Sequence, residues 1–227
     1  AEAYADGEMR LTIEQNVLFR WVRKESVEPL YQRLQAANMA SPDALSIADV
    51  LSCPGAESCR LAVTQSRGLG RELTEYLGAH PELVDLVSSG DIKVSGCPNG
   101  CGQHHIAAIG FQGSVRKVGG RAVPQYFVLT GGGASTSGAS FGKVVSKVPV
   151  HRLTTAVERL LALYRDERQG PDEPLGAFFR RLPPARATAA LADLAELQPE
   201  TMTDLDYVDL GEDRAFNPEV MDGECAS

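Results

Sequence analysis

The sequence predicts an α+β fold, and three observations carry that prediction. Short runs with strand alternation recur, at 9–13, 91–95, 106–111 and 122–130. Between and after them, Leu69, Leu73 and Leu77 repeat at four-residue spacing, and Leu153, Val157, Leu160, Leu161 and Tyr164 form one apolar helical stripe. Gly, Pro and Asp clusters punctuate the two kinds of pattern.

The 227 residues are 43% hydrophobic and 23% charged, which excludes a disordered chain and leaves room for a self-supporting core. A net charge of −8 argues against broad nucleic-acid binding, whose footprint is basic. No run of about 18 apolar residues occurs, so no membrane span is expected. The opening Ala1-Glu2-Ala3-Tyr4-Ala5-Asp6 lacks the basic and apolar regions of a secretory signal, and the expected location is the cytoplasm.

Taken in order, Asp6-Gly7 precedes an alternating strand from Met9 to Ile13, followed by a second apolar run from Asn16 to Val22, with Trp21 expected in the core. Ser26 is placed to cap a helix with Val27, Leu30, Tyr31 and Leu34 on one face, and Pro29 fits its first turn. Pro42, Asp43 and Ser46 mark a loop into Leu51-Ser52-Cys53. A second helix is expected from Ala56, weakened by Gly68 and Gly70 at about 1 kcal/mol each. Pro81 opens a short helix with Leu83, Val84, Leu86 and Val87. The strand ending at Ser95 runs straight into a cysteine pair. Gly131-Gly132-Gly133 begins a Gly/Ser/Thr stretch to Gly142, which reads as a surface loop whose glycines also permit close backbone approach to a ligand. The last 30 residues turn acidic and lose periodicity, as a docking arm or a loose tail would. There is no internal repeat.

Four of the five cysteines form two close pairs: five residues separate Cys53 from Cys59, and three separate Cys97 from Cys101. Three chemistries use four cysteines. Structural zinc prefers pairs two to four residues apart, which suits Cys97/Cys101 and not Cys53/Cys59. An iron–sulfur cluster needs four thiolates and imposes no single spacing. Four reduced core thiols are the third possibility. Each pair begins Cys-Pro with Gly close behind, a turn that leaves backbone N–H groups free to point at sulfur, and Cys59 is expected in the first turns of a helix whose positive end favours thiolate. Spacing ranks the cluster first.

Cys53-Pro54-Gly55-Ala56-Glu57-Ser58-Cys59-Arg60-Leu61-Ala62 followed by Ser95-Gly96-Cys97-Pro98-Asn99-Gly100-Cys101-Gly102 resembles the paired signature of the sirohaem-dependent nitrite and sulfite reductases. Arg10 to Asn16 is similar to the Thr-x-x-Gln-Asn strand of that family's ferredoxin-like domain. Ile106 to Gly113, Gly131-Gly132 and Leu175 to Arg181 resemble later segments in the same order.

The resemblance implies a [4Fe–4S] cluster on Cys53, Cys59, Cys97 and Cys101, with Cys101 also the bridging axial ligand of sirohaem iron. It implies a six-electron reduction of nitrite to ammonia or sulfite to sulfide, fed by a ferredoxin or a flavoprotein subunit. It also implies a ferredoxin-like half-domain over 1–45, a mixed α/β sirohaem/[4Fe–4S] domain over 46–165, and a helical extension with an acidic tail over 166–227. Candidate cofactor contacts are Arg10, Gln15, Asn16, Asn99, Gly131, Gly132 and Lys143, with Lys147 a further cation for sirohaem carboxylates. Solvated side chains, for the cations, and a turn role, for Gln15 and Asn16, are the competing readings. The family's subunit has two related halves, and this chain matches the second, so a missing N-terminal half or partner subunit is expected. The alternative is a non-catalytic iron–sulfur half that transfers electrons for a partner. His104-His105, just past the second pair, suits proton delivery or a hydrogen-bonded place beside the cluster. Cys225 reads as an unliganded tail thiol.

Overall fold

The computed structural model describes residues 1–135 and 138–218, and the chain divides into two compact units, Ala1–Leu45 and Ser46–Ser227. In the first, strands β1 (Met9–Leu11) and β2 (Val17–Phe19) form an antiparallel hairpin, with Met9 opposite Phe19. Its turn is closed by Thr12, whose N–H donates to the Asn16 carbonyl at 2.9 Å and whose Oγ1 accepts from the Asn16 N–H at 3.2 Å. Helix α1 (Val27–Ala36) follows a turn of 3₁₀ helix, Lys24–Ser26. Ser26 makes no side-chain cap, contrary to expectation, because it is itself in the helical region as the end of that turn. Trp21 is not core: it is 80% exposed, and its φ of +56° takes it out of the strand alternation.

The second unit is built on a five-stranded sheet in the order β3-β4-β5-β6-β9, comprising β3 (Leu51–Ser52), β4 (Ile92–Ser95), β5 (Ile109–Val118), β6 (Arg121–Thr130) and β9 (Lys143–Pro149). The first three strands run parallel, and β6 and β9 are antiparallel additions. Helices α2 (Ser66–Ala79) and α3 (Pro81–Leu86) make the crossover from β3 to β4. The strand expected over 106–111 starts later and runs on to Val118, since Ile106 belongs to a 3₁₀ turn and Asp91 fixes the start of pairing. The Asp91 carboxylate accepts from the Ala108 N–H at 2.7 Å and its carbonyl from the Ile109 N–H at 3.1 Å. Gly119 and Gly120, both at positive φ, close the tight hairpin into β6. The glycine-rich stretch is not simply a loop: β7 (Gly133–Ser135) and β8 (Gly138–Ser140) pair antiparallel within it.

Helix α2 begins at Ser66, not at Ala56. Instead Gly55, at φ +62°, leads into a short 3₁₀ turn, Gly55–Glu57, and further on the N–H groups of Val63 and Thr64 go to the Gly96 carbonyl rather than up a helix. Its glycines have a packing reason: a Cβ on Gly68 would lie 2.4 Å from the Leu210 carbonyl. Leu69, Leu73 and Leu77 are fully buried against Ile92, Val94, Ile109 and Phe111. The same core takes the stripe of α4 (Leu153–Glu167), then Leu175, Phe178 and Phe179 of α5 (Leu175–Arg181) and Ala187 of α6 (Pro184–Ala190). The segment after residue 166 therefore contributes to the central core.

Truncating Leu73 to Ala should cost about 2–5 kcal/mol in chemical denaturation. Leu205→Ala, at a 59% exposed position, should stay within about 0.5 kcal/mol of wild type.

Candidate metal centre

The two cysteine pairs leave the carboxyl ends of adjacent parallel strands, the edge where parallel sheets place their ligands. Ser52 of β3 pairs with Val94 of β4, so Cys53 emerges beside Ser95-Gly96-Cys97. Gly96 joins the two loops. Its N–H donates to the Cys53 sulfur at 3.3 Å, and its carbonyl accepts from the N–H groups of Val63 and Thr64 at 2.8 and 3.1 Å. A Cβ there would sit 2.7 Å from the Thr64 carbonyl, so only glycine allows this approach. The Ser66 hydroxyl lies 3.2 Å from the Cys53 sulfur as well. Cys59 is not in a helix's first turns. It sits in the irregular loop before α2, its N–H bonded to the Gly55 carbonyl at 2.9 Å, so the helix-dipole argument does not apply to it.

All four thiols are free: Cys53 and Cys97 are buried, Cys59 is half-buried and Cys101 is exposed. Burial pushes the Cys97 thiol up. The Asn99 N–H acts against that rise, and the nearby Cys53, Cys101 and Cys59 add to it. A buried thiol that resists charging beside three other cysteines suits a metal donor set, since metal binding is what deprotonates such a thiol. A zinc site draws its four ligands to about 2.3 Å from one ion. Among the described residues no three His, Cys, Asp or Glu side chains converge in that way. A cubane gives each thiolate its own iron, and four thiols close enough for Cys53, Cys59 and Cys101 each to act on Cys97 are a donor set of the kind such a cluster uses.

Other expected contacts distribute as follows. Asn99 is exposed and serves Cys97 through its backbone. Gly131 and Gly132 are buried, and their carbonyls accept from Arg180 of α5 at 3.4 and 3.2 Å. A Cβ on Gly132 would come within 2.5 Å of the Ala107 carbonyl, so packing already explains these glycines. Lys143 is exposed at the start of β9, and the Lys147 ammonium stands 4.2 Å over the Phe127 ring. Arg10, Gln15 and Asn16 lie in the first unit, Arg10 paired with Glu8 at 3.7 Å and the other two in the β1–β2 turn. His104 is buried, and its imidazole is held below its ordinary pKa by burial, then by His105, against a hydrogen bond with Gln112. The half-buried His105 ring lies 5.2 Å from that of Phe141. Cys225 lies outside the described residues.

Of the two readings of the acidic C-terminal segment, the described residues favour the docking arm, though the sequence did not indicate where it docks. Asp209, 2% exposed, accepts from the Gln65 N–H at 2.8 Å, and Glu212 accepts from the Gln65 amide at 2.6 Å. This arm and the Cys59 loop line a cleft of about 770 Å³. No local pattern marks Asp209, because its partner is 144 residues away.

The comparisons with known proteins agree on a family. The family model described as the nitrite and sulphite reductase 4Fe-4S domain covers residues 45–182. The chain belongs to this family. The model of the nitrite/sulfite reductase ferredoxin-like half domain covers residues 1–37 of this reductase-family chain. Chloroplastic ferredoxin–nitrite reductase of Oryza sativa subsp. japonica is 28% identical over 178 residues, 76% of this chain and 29% of that protein. The Arabidopsis thaliana counterpart is 31% identical over 164 residues, 71% and 27% respectively. The solved structure of the Mycobacterium tuberculosis NirA protein shares the fold, with a TM-score of 0.64 at 22% identity, over 79% of this chain and 33% of that one. The chain thus spans less than a third of the length of these curated relatives. Family membership implies a [4Fe–4S] cluster and sirohaem as cofactors. Among the described residues no helix is long and apolar enough to cross a membrane.

Burial raises the Asp209 carboxyl from 3.8 to about 6, over the lowering by the Gln65 and Leu210 N–H groups and by His151; Glu212 adds to the rise. The folded state therefore binds the extra proton between those values, and stability from this group is full below pH 3.8 and lost as pH rises through about 6. Wild type should lose about 3 kcal/mol across that window that Asp209→Asn does not, read as the difference between their stability–pH profiles.

Proposed function

We propose that this chain is the cluster-bearing segment of a reductase that takes nitrite to ammonia with six electrons from a ferredoxin. The observation that carries the proposal is the convergence of both cysteine pairs on one sheet edge, tied together through Gly96. Nitrite and ferredoxin are favoured over sulfite and a flavoprotein because the relatives above are ferredoxin–nitrite reductases.

Cys53, Cys59, Cys97 and Cys101 would hold the [4Fe–4S] cluster. Cys101 is exposed where Cys53 and Cys97 are buried, which suits it to be shared with a second metal, the sirohaem iron. When bound, these groups supply single-electron storage and an open iron site for the oxyanion. The chain's residues bind and orient them. Gly96 gives an N–H contact to the Cys53 sulfur, the Ser66 hydroxyl lies against that sulfur while donating to the Cys53 carbonyl, the Asn99 N–H serves Cys97, and the Gly100–Gln103 turn fixes where Cys101 projects.

A second reading, that the chain is an inactive half until a partner half completes it, has its own support. No residue of 1–45 is buried, and Leu11, Ile13 and Trp21 are 70–80% exposed. A unit of this size without a core does not hold itself together and calls for a covering half. On that reading the electron-transfer role belongs to this chain and reduction to the completed protein.

Anaerobically purified chain should contain iron and acid-labile sulfide in equal amounts near four per chain, without zinc. Cys97→Ser should abolish the cluster absorption and lower both contents; stoichiometric zinc in place of iron overturns the proposal. The chain alone should show no more than trace nitrite reduction with reduced ferredoxin, and robust turnover would remove the second reading.

A further inference from the structure

Strand alternation sends Ile92 and Val94 of β4 into the core and leaves Lys93 and Ser95 on the opposite face. That face is roofed by the turn after Cys101. The Ser95 hydroxyl oxygen accepts from the Gly102 N–H at 3.1 Å, and the Lys93 ammonium donates to the Gln103 amide oxygen at 3.0 Å. Gln103 in turn donates its N–H to the Gly100 carbonyl at 2.7 Å and adopts φ +58°, a conformation that a non-glycine residue keeps only when its surroundings hold it. The approach is tight enough that a Cβ on Gly102 would meet the Val94 carbonyl at 2.1 Å. Alternate residues of one buried strand therefore grip the two residues that follow Cys101.

Lys93 is the unusual member. It is 8% exposed, and a desolvated ammonium is costly unless opposite charge compensates it. Its partners are a neutral amide and the Asp91 carboxylate at 3.5 Å, which is itself 41% exposed and bonded to the Ala108 N–H. The positive charge is thus only partly offset within its own network. A four-thiolate cluster is anionic, gains further negative charge on reduction, and has its potential set by net charge, hydrogen bonds to its surroundings and solvent exposure.

We propose that Lys93 is a positioning residue of the cysteine centre: through Gln103 it fixes the turn that projects Cys101, and its buried charge favours the reduced form of the cluster. This rests on the reading that the four cysteines hold a [4Fe–4S] cluster. The role differs from a purely structural one because it depends on the charge, which buried surroundings screen weakly.

The test is a dithionite redox titration of the full chain carrying its cluster, followed by electron paramagnetic resonance, for wild type, Lys93→Met, Lys93→Arg and Gln103→Glu. Lys93→Met keeps most of the apolar stem and should lower the equilibrium constant for cluster reduction about tenfold, equal to 59 mV for a one-electron couple. Lys93→Arg should restore it to within about twofold of wild type, since it returns the charge. Gln103→Glu keeps the tether but sets a neutralising carboxylate against Lys93, and should shift the equilibrium in the same direction as Lys93→Met. If Lys93→Met does not fold, Gln103→Glu decides alone. Unchanged potentials in the variants that carry full iron and sulfide overturn the proposal, as does a Lys93→Met shift that Lys93→Arg fails to reverse. A wild-type chain with neither iron nor labile sulfide overturns the cluster reading, and this inference with it.

Discussion

Gly96 has its N–H on the Cys53 sulfur and its carbonyl under the N–H groups of Val63 and Thr64, at an approach that leaves no space for a side chain. Much else follows from that single junction. It needs β3 and β4 to be parallel neighbours in register, so that Cys53 and Gly96 leave the sheet side by side. It consumes the donors of 63 and 64, which is why the chain there folds as a loop and α2 starts only at Ser66. Gly113 of β5 lies against the same residue, where a Cβ would be 2.4 Å from the Gly96 carbonyl. Three consecutive strands are therefore committed to one glycine beside a thiol, and a substitution at any of the three points would be felt at the sulfur.

What the sequence made legible was whatever its own neighbours determine. The stripe of Leu69, Leu73 and Leu77 is a period, and it lands fully buried as the period requires. The cysteine pairs are a spacing, and the strand before Cys97 is a short apolar run. Hidden were the features set by partners far along the chain. Residues 56–65 carry enough apolar side chains to pass for a helix, but Val63 and Thr64 give their N–H groups to Gly96 and Gln65 gives its own to Asp209. Strand β9 alternates from Lys143, yet it directly follows a glycine-rich stretch that reads as loop. Asp209 sits in an acidic segment with no periodicity, and only the fold discloses that it is buried on Gln65. Within the candidate centre, the cysteine pairs were readable from their spacing, while Ser66, Lys93 and Gln103 are ordinary residues until topology sets them beside a sulfur or its loop.

The two units also differ in what they ask of the rest of a protein. The second closes a core of its own, with β-strands sandwiched between α2, α4, α5 and α6 on one face and the cysteine turn on the other. It positions the two cysteine turns from within, through strand register and close glycine contacts. The first unit buries nothing. Its hairpin and helix are locally consistent, with a bonded turn at Thr12–Asn16 and an apolar stripe on α1, but the stripe includes exposed Val27 and Tyr31.

That asymmetry bears on how such a chain divides labour. Holding a cluster requires precision over a few ångströms, which local strand register and close glycine packing provide. Holding a large anionic tetrapyrrole and a small oxyanion requires many cations distributed around a pocket, a demand that grows with surface rather than with rigidity. In the second unit Arg159, Arg181 and Arg186 are already paired with Asp193, Glu173 and Glu167, and Lys147 is stacked on Phe127, so much of the local positive charge is spent on the fold. A chain that commits its cations to holding helices in place has fewer to offer to a ligand. On the proposed reading, the cations that a polycarboxylate cofactor needs would then come from a second half.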